Sequence, residues 1–341
     1  MTDAPKTTMV QELNAALADA MEADPKVVLL GEDIADPEKG GITGVTRGLS
    51  TRFGDKRCRS TPIAEQAIVG AAIGASMMGY KVVAEVMLMN FTAVAMDMIV
   101  NHAAKLRFMS GGQTSVPIVI RMMTGAGFGT AGQHADYLEG WFAHTAGLKV
   151  VAASSPEDGY GLLRACIDDP DPCIFIENMP TYRVPGPAPD RSKRISLGKA
   201  RVTRPGTDVT IVSYARTALE SLAAAEALEQ EGISVEVVDL RTLSPWDRET
   251  VLASAAKTGR VLVAHESVRN FGPGGEIAAT VSEALFGKLR APVRRIGAPT
   301  SAVPFSKALE TAYLVAKPQI ETAVRDLVQG KTDAKSGLVE A

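Results

Sequence analysis

The stretch that decides the fold is Thr61–Val86, TPIAEQAIVGAAIGASMMGYKVVAEV. Thr61 can cap a helix and Pro62 suits its first position, so the segment opens as a helix. Ala64, Ala67, Gly70, Ala71, Ala72, Gly74 and Ala75 make that helix thin, and another backbone or a ligand can approach it closely. Lys81–Val86 (KVVAEV) then reads as a strand. Glu65 sits in the first helical turn. A carboxylate there is commonly a surface residue stabilised by the helix dipole. Its neighbours Ile63, Ala67, Ile68 and Val69 are uncharged, however, so a solvated face is not obvious. A carboxylate in such company can share a proton with a ligand nitrogen.

The same alternation extends to both sides. Val27–Gly31 (VVLLG) is an apolar strand before the acidic GEDIAD loop, and Ala93–Leu106 reads as a helix. Val116–Arg121 (VPIVIR) is a strand entering the glycine-rich MMTGAGFGTAG; Pro156–Cys166 and Cys173–Glu177 add a helix and a strand. This pattern predicts a mostly parallel sheet covered by helices. Ligands in such sheets sit at the carboxyl ends of strands, which points to the loops after Gly31, Glu85 and Arg121. A segment rich in proline and charge, Pro180–Arg204, marks a boundary. A second alternation follows: strands at Val209–Ser213, Val235–Asp239, Arg260–His265 and Val293–Ile296, with helices at Thr217–Gln230, after Gly274-Gly275 and at Pro318–Val328. The expected fold class is α/β, with two parallel-sheet α/β domains spanning 7–180 and 205–330. The tail GKTDAKSGLVEA reads as loose.

The 341 residues, 46% hydrophobic and 22% charged, are enough for two ordinary globular domains. A net charge of −3 argues against nucleic acid as the main partner. No stretch has the roughly 18 apolar residues that span a bilayer, so no membrane partner is expected. Cys58, Cys166 and Cys173 lack CxxC spacing and read as reduced thiols. The N-terminus, MTDAPKTTMVQELNAALADAM, carries acids, lacks an apolar signal core and reads as a helix beginning after Thr7 or Thr8. The expected compartment is the cytoplasm.

Other candidates for chemistry are few. His134 lies in the glycine-dense loop, which either connects flexibly or lines a ligand; its capacity for proton transfer makes it the histidine of interest. His102 and His144 fall in helices and read as packing or surface residues, while His265 at a strand end is intermediate. GPGGE (Gly272–Glu276) precedes a helix but matches neither glycine-rich phosphate fingerprint in full. DDPDP (Asp168–Pro172) reads better as a turn leading into a strand than as a divalent-metal site.

Many segments taken together, in order from about residue 7 to 328, resemble one family. They include GEDIAD, GGITGVTRGL, TPIAEQAIVGAAIGASMMGYKVVAEV, NHAAKLRFMSGG, QHAD, LLRACIDDPDPCIFIEN, VVDLRTLSPWD and KTGRVLVAHE. The chain is similar to the β subunit of the thiamine-diphosphate-dependent first component of 2-oxo-acid and acetoin dehydrogenase complexes. The resemblance implies a pyrimidine-binding domain followed by a transketolase C-terminal-type domain. It also implies that Glu65 hydrogen-bonds the aminopyrimidine nitrogen of thiamine diphosphate, favouring the imino tautomer that strips the thiazolium proton. By the same likeness Phe91 packs against the pyrimidine, with Ile63 and Met87 as further cofactor-binding positions. His134 stands near the thiazolium and helps pass the acyl group to a lipoyl arm. Carbonyls of Ile118, Val119, Cys166, Asp169 and Asp171 correspond to a potassium site in some relatives.

In that family magnesium and the diphosphate are held by a GDG segment followed by paired asparagines, and this sequence has neither. The resemblance places them on an α subunit, with two of each chain in a heterotetramer and a lipoyl acyltransferase as further partner. Ser60 stands where the family usually has aspartate, Ala135 where it has serine, and Val94 where pyruvate-type relatives often have glutamine. GGITGVTRGL, RMMTGAG and VPFSKALE look closer to acetoin-type subunits. Acetoin is therefore the favoured substrate, ahead of pyruvate or a branched-chain 2-oxo acid. A transketolase-like half enzyme with another acceptor, and a non-catalytic scaffold subunit, are the alternatives.

Overall fold

Thr8 starts the first helix. After a short strand β1 (Lys6–Thr8), α1 covers Met9–Ala23. The Thr8 hydroxyl accepts from the Gln11 amide at 3.4 Å, and the Gln11 side chain accepts from the Thr8 amide at 3.0 Å. This reciprocal cap satisfies amides that the first turn leaves without helical partners. The computed structural model describes residues 6–331; the first five residues, and most of the tail expected to be loose (332–341), lie outside the described residues.

Along the chain come β2 (Val27–Glu32), α2 (Leu49–Phe53), β3 (Cys58–Thr61), α3 (Glu65–Met77) and β4 (Lys81–Leu88). They are followed by α4 (Thr92–Asp97), α5 (Leu106–Met109), β5 (Ile118–Thr124), α6 (Gly132–Ala135) and α7 (Glu139–Ala143). Then come β6 (Lys149–Ala152), α8 (Pro156–Asp168), β7 (Cys173–Asn178) and β8 (Pro185–Pro187). The first compact unit holds the chain up to Thr124 together with Trp141–Leu197. Its strands β6, β7, β5, β4, β2 and β3 lie side by side in that order, all parallel. Every residue of β5 and β7 is buried, as expected where helices cover both faces of a parallel sheet. Leu13, Leu17 and Met21 of α1 and Leu163 and Ile167 of α8 share one core cluster with Val83, Val119 and Phe175 of the sheet.

Two helices differ from their sequence reading. The helix of the deciding stretch does not open at Thr61-Pro62: Thr61 ends β3, paired with Glu32 of β2, and α3 starts at Glu65 without a side-chain cap. The ladder holds Thr61 extended, which is also the conformation that a following proline favours. The helix expected over Ala93–Leu106 is interrupted by a π-helical segment, Met98–Ala103, between α4 and α5. Nor is the proline-rich boundary merely a linker, because β8 pairs antiparallel with β1 and Arg191 binds Glu12 of α1 at 3.0 Å.

The second compact unit joins Gly125–Gly140 to the chain from Gly198 onward. It contains β9 (Arg201–Arg204), β10 (Val209–Ser213), α9 (Ala215–Glu229), β11 (Val235–Asp239), β12 (Thr242–Ser244) and α10 (Arg248–Thr258). β13 (Val261–Val268), α11 (Gly274–Ala284), β14 (Arg294–Ala298), α12 (Lys307–Tyr313) and α13 (Lys317–Val328) complete it. Its sheet has the order β14-β13-β10-β11-β9 and is parallel except for β9, which runs antiparallel to β11. Both units are thus α/β, the second with a mixed sheet. No helix among the described residues is long and apolar enough to cross a membrane.

Candidate active site

The carboxyl ends of β2, β4 and β5, singled out by the sheet pattern, and of β7 next to β5 carry a concentration of charge. Arg121 of β5 is almost wholly buried. Its Nη1 donates to Glu85 Oε2 at 2.6 Å, and its Nε and Nη2 donate to the two oxygens of Glu177 at 2.6 and 2.8 Å. The Tyr182 hydroxyl adds a 2.5 Å hydrogen bond to Glu177. Burial holds the Glu85 carboxyl above its ordinary value although Arg121 opposes the shift, while burial and the adjacent carboxylate raise Tyr182. Met87 lines a small cavity at this network with Ile42 and Thr43.

Glu65 is set at the same end of the sheet by β3 and the Pro62–Ala64 loop. It is half-buried, and its carboxylate has no hydrogen-bond or ion-pair partner among the described residues. Glu32, the last residue of β2, lies close enough to feel it. The Glu32 carboxyl is held above its ordinary value by burial, then by Asp33 and Glu65. The Glu65 charge at the start of helix α3 is thus felt by a second carboxylate at the end of strand β2. Glu32 was not singled out from sequence, although it terminates the apolar VVLLG run in front of one of the loops named there. Ser60 has an architectural part: its hydroxyl accepts from the Ala35 amide at 3.0 Å and donates to Glu38 at 3.1 Å, tying down the GEDIAD segment.

Of the other expected cofactor-binding positions, Phe91 and Met87 are partly buried against the first unit's core, whereas Ile63 is 75% exposed. One face of α3, containing Ala67, Ala71 and Gly74, is also exposed, as is Met78 just after it, while Ile68, Val69, Ala72 and Ile73 face inward. A Cβ on Gly74 would meet nothing within 4 Å. With Ile63, Met77, Met78, Tyr80 and Val94 all exposed, this part of the unit presents an apolar surface.

In the second unit, His134 sits on the single turn α6, half-buried, behind Ala131, whose φ of 62° is unusual for a residue with a side chain. The glycine-rich segment before it is internally satisfied. The Gly127 and Gly129 amides both donate to the Glu310 carboxylate, at 2.7 and 3.0 Å. Such a nest of amides is a ready anion site, and here an internal anion fills it. Because Glu310 is some 180 residues away in the chain, no local signal could have revealed this.

Two further buried groups lie in that unit. Glu139 accepts a hydrogen bond from the Tyr214 hydroxyl and interacts with Ser267. Burial pushes its carboxyl up to about 7. His265 is fully buried, bonded through Nδ1 to Ser267, and burial lowers it to about 4, so it is neutral. A Cβ on Gly272, Gly274 or Gly297 would collide with its imidazole. Gly272 and Gly274 of the GPGG segment therefore make room for His265. His102 and His144 are exposed.

Glu139 makes stability depend on pH. An acid whose folded value is raised stabilises the fold fully below its unfolded value, near 4.5, and that contribution is lost as pH rises to about 7. The loss is on the order of 3 kcal/mol for a group this buried. His265 acts in the opposite sense, losing stability as pH falls from about 6.5 towards about 4. Denaturant melts of Glu139→Gln against wild type between pH 5 and 8 are expected to converge at the acid end, with the variant relatively more stable at the alkaline end.

The Asp168–Pro172 turn is closed by a lysine. Lys149 Nζ lies 2.6 Å from both Asp169 oxygens and 3.4 Å from Asp171, which also receives Arg107 at 2.5 Å. The Cys166 carbonyl accepts from the Asp169 amide at 3.3 Å. Cys166 and Cys173 are buried free thiols, as is Cys58, whose thiol burial pushes up to about 12.

These features belong to a known class. Residues 5–185 match the transketolase pyrimidine-binding domain and residues 198–320 the transketolase C-terminal domain. Among solved structures, a split-gene transketolase described as an inactive β4 tetramer shares the fold with a TM-score of 0.76 at 23% identity, over 95% of this chain and 99% of that one. The transketolase of Leishmania mexicana gives 0.70 at 16% identity, over 99% of this chain and 49% of that one. The beta subunit of acetoin:2,6-dichlorophenolindophenol oxidoreductase from Cupriavidus necator is 44% identical over 95% of this chain and 98% of its own. The beta subunit of 2-oxoisovalerate dehydrogenase from Bacillus subtilis is 39% identical over 94% and 98%. A mitochondrial pyruvate dehydrogenase E1 beta-2 subunit from Oryza sativa is 41% identical over 94% and 85%. The chain belongs to the family of β subunits of thiamine-diphosphate-dependent 2-oxo-acid and acetoin dehydrogenases.

Proposed function

We propose that this chain is the cofactor-activating half of an enzyme that cleaves acetoin or decarboxylates a 2-oxo acid and hands the acyl group to lipoamide. The observation that carries this reading is Glu65: a half-buried carboxylate at the carboxyl end of the sheet, without a hydrogen-bond or ion-pair partner among the described residues, whose charge is felt by Glu32. The proton it can hold needs an acceptor from outside the chain, and an aminopyrimidine nitrogen fits. When bound, thiamine diphosphate supplies a nucleophilic carbon and an electron sink. Glu65 holds and returns a proton at the ring nitrogen, Phe91 and Met87 offer apolar surface to the ring, and Ile63 awaits cover from the ligand or a partner.

That partner is an α subunit bringing the diphosphate and magnesium anchor, two of each chain to the assembly. The exposed apolar surface around Ile63, Met78 and Val94 supports it, since contiguous apolar patches of this kind mark interfaces. A lipoyl acyltransferase is the proposed acyl acceptor and the cytoplasm the proposed compartment. Acetoin is favoured as substrate over pyruvate and branched 2-oxo acids. Steady-state rates of the reconstituted pair with all three test this, and a higher kcat/KM for either oxo acid overturns it.

His134 is assigned to acyl transfer. His134→Ala is expected to reduce lipoamide-linked turnover more than turnover with an artificial electron acceptor; equal losses would move its role to an earlier step. Potassium is proposed at the backbone carbonyls of Ile118, Val119, Cys166, Asp169 and Asp171, beside Lys149, which pairs with the side chains of both aspartates. A rise in melting temperature specific to potassium over sodium chloride is expected, and equal melting temperatures would overturn the site.

A further inference from the structure

β14 forms one edge of the second unit's sheet, and along it opens a cavity of about 270 Å³. Arg269, Arg290, Arg294, Arg295 and Lys331 line it, with Leu327 among its apolar residues. Among the described residues only Arg294 is neutralised, by Asp326 at 2.9 Å. Arg269, Arg290, Arg295 and Lys331 have no acidic partner among the described residues. Several arginines elsewhere in the unit are paired: Arg325 with Glu231 and Glu321, Arg216 with Glu220 and Glu266, and Arg204 with Glu229.

The unpaired cations also press on one another. Arg295 donates to the Arg269 carbonyl at 3.3 Å, and burial together with the Arg269 charge holds its guanidinium below its ordinary value. In a protein whose net charge is −3, such a gathering of uncompensated positive charge focuses a field on the space it surrounds. We propose that this cavity binds a small phosphate-bearing anion of two or more charges. Guanidinium forks match phosphate oxygens in pairs, and several converging from different positions can satisfy more oxygens than one carboxylate offers. The volume lies below the roughly 300–1,000 Å³ typical of pockets for drug-sized ligands, so the ligand is compact. This site lies within the second unit and does not rest on the role given to Glu65.

Isothermal titration of the full-length chain with inorganic pyrophosphate, at low salt and without divalent metal, tests the site. Saturable binding of one pyrophosphate per chain is expected, weakening as ionic strength rises. The Arg269→Gln/Lys331→Gln pair, and Arg295→Gln separately, are each expected to lose about tenfold or more in affinity. Lys331→Gln alone, at an exposed position, guards against a folding defect and is expected to show a smaller loss with an unchanged melting temperature. Absence of saturable binding by the wild type, or equal affinity in all variants, overturns the site. Citrate binding as tightly as pyrophosphate overturns the ligand class.

Discussion

Glu65→Gln, assembled with its α partner, is expected to fold, associate and lose turnover by about two to four orders of magnitude, the range of a general acid–base contribution. The carboxylate makes no hydrogen bond among the described residues, so a neutral isostere removes no observed contact. It also relieves Glu32, whose carboxyl is held high partly by the Glu65 charge and should move towards its ordinary value in the variant. Melting temperature and size-exclusion profile are therefore expected to match wild type while kcat collapses. Unimpaired turnover in a correctly assembled Glu65→Gln enzyme would falsify the assignment. A loss confined to assembly would instead make Glu65 an interface residue.

Arg121→Met is expected to have the opposite profile, a failure of stability. Removing the guanidinium leaves Glu85 and Glu177 facing each other in the interior with no cation between them, and both are among the least exposed carboxylates of the first unit. Breaking a buried ion pair from one side costs about 3–5 kcal/mol, because the abandoned charge must be neutralised or hydrated. With a typical domain stability of about 5–15 kcal/mol, such a loss places the chain near unfolding at ordinary temperature. Arg121→Lys keeps the charge but not the fork that reaches both oxygens of Glu177 and one of Glu85, and is expected to fall between Met and wild type. Denaturant melts of the three proteins measure the series; equal midpoints would show that the network contributes no net stability.

Much of this architecture is local enough to read along the chain. Apolar runs at Val27, Val209 and Val235 became strands, Thr8 became a helix cap, and Glu65 lies in the first turn of its helix. The helix-start signal at Thr61-Pro62 misled because pairing with β2 outweighed a local preference. Acetoin-type and oxo-acid-type relatives have similar identities, 44% against 41% and 39%, so overall likeness alone is a weak guide to substrate.

By itself the sequence determined the α/β alternation, the family, and Glu65 as the carboxylate to watch. Those depend on periodicity and on residue order, which survive without knowledge of who touches whom. Only the tertiary structure decided that Glu32 feels the charge of Glu65, that Glu310 occupies the amides of the glycine-rich loop, and that Gly272 and Gly274 leave room for His265. It alone also gathered Arg269, Arg295 and Lys331 around one cavity. Charges and buried polar groups act over a few ångströms through space, and the partners that set their behaviour are brought there by folding from distant parts of the chain.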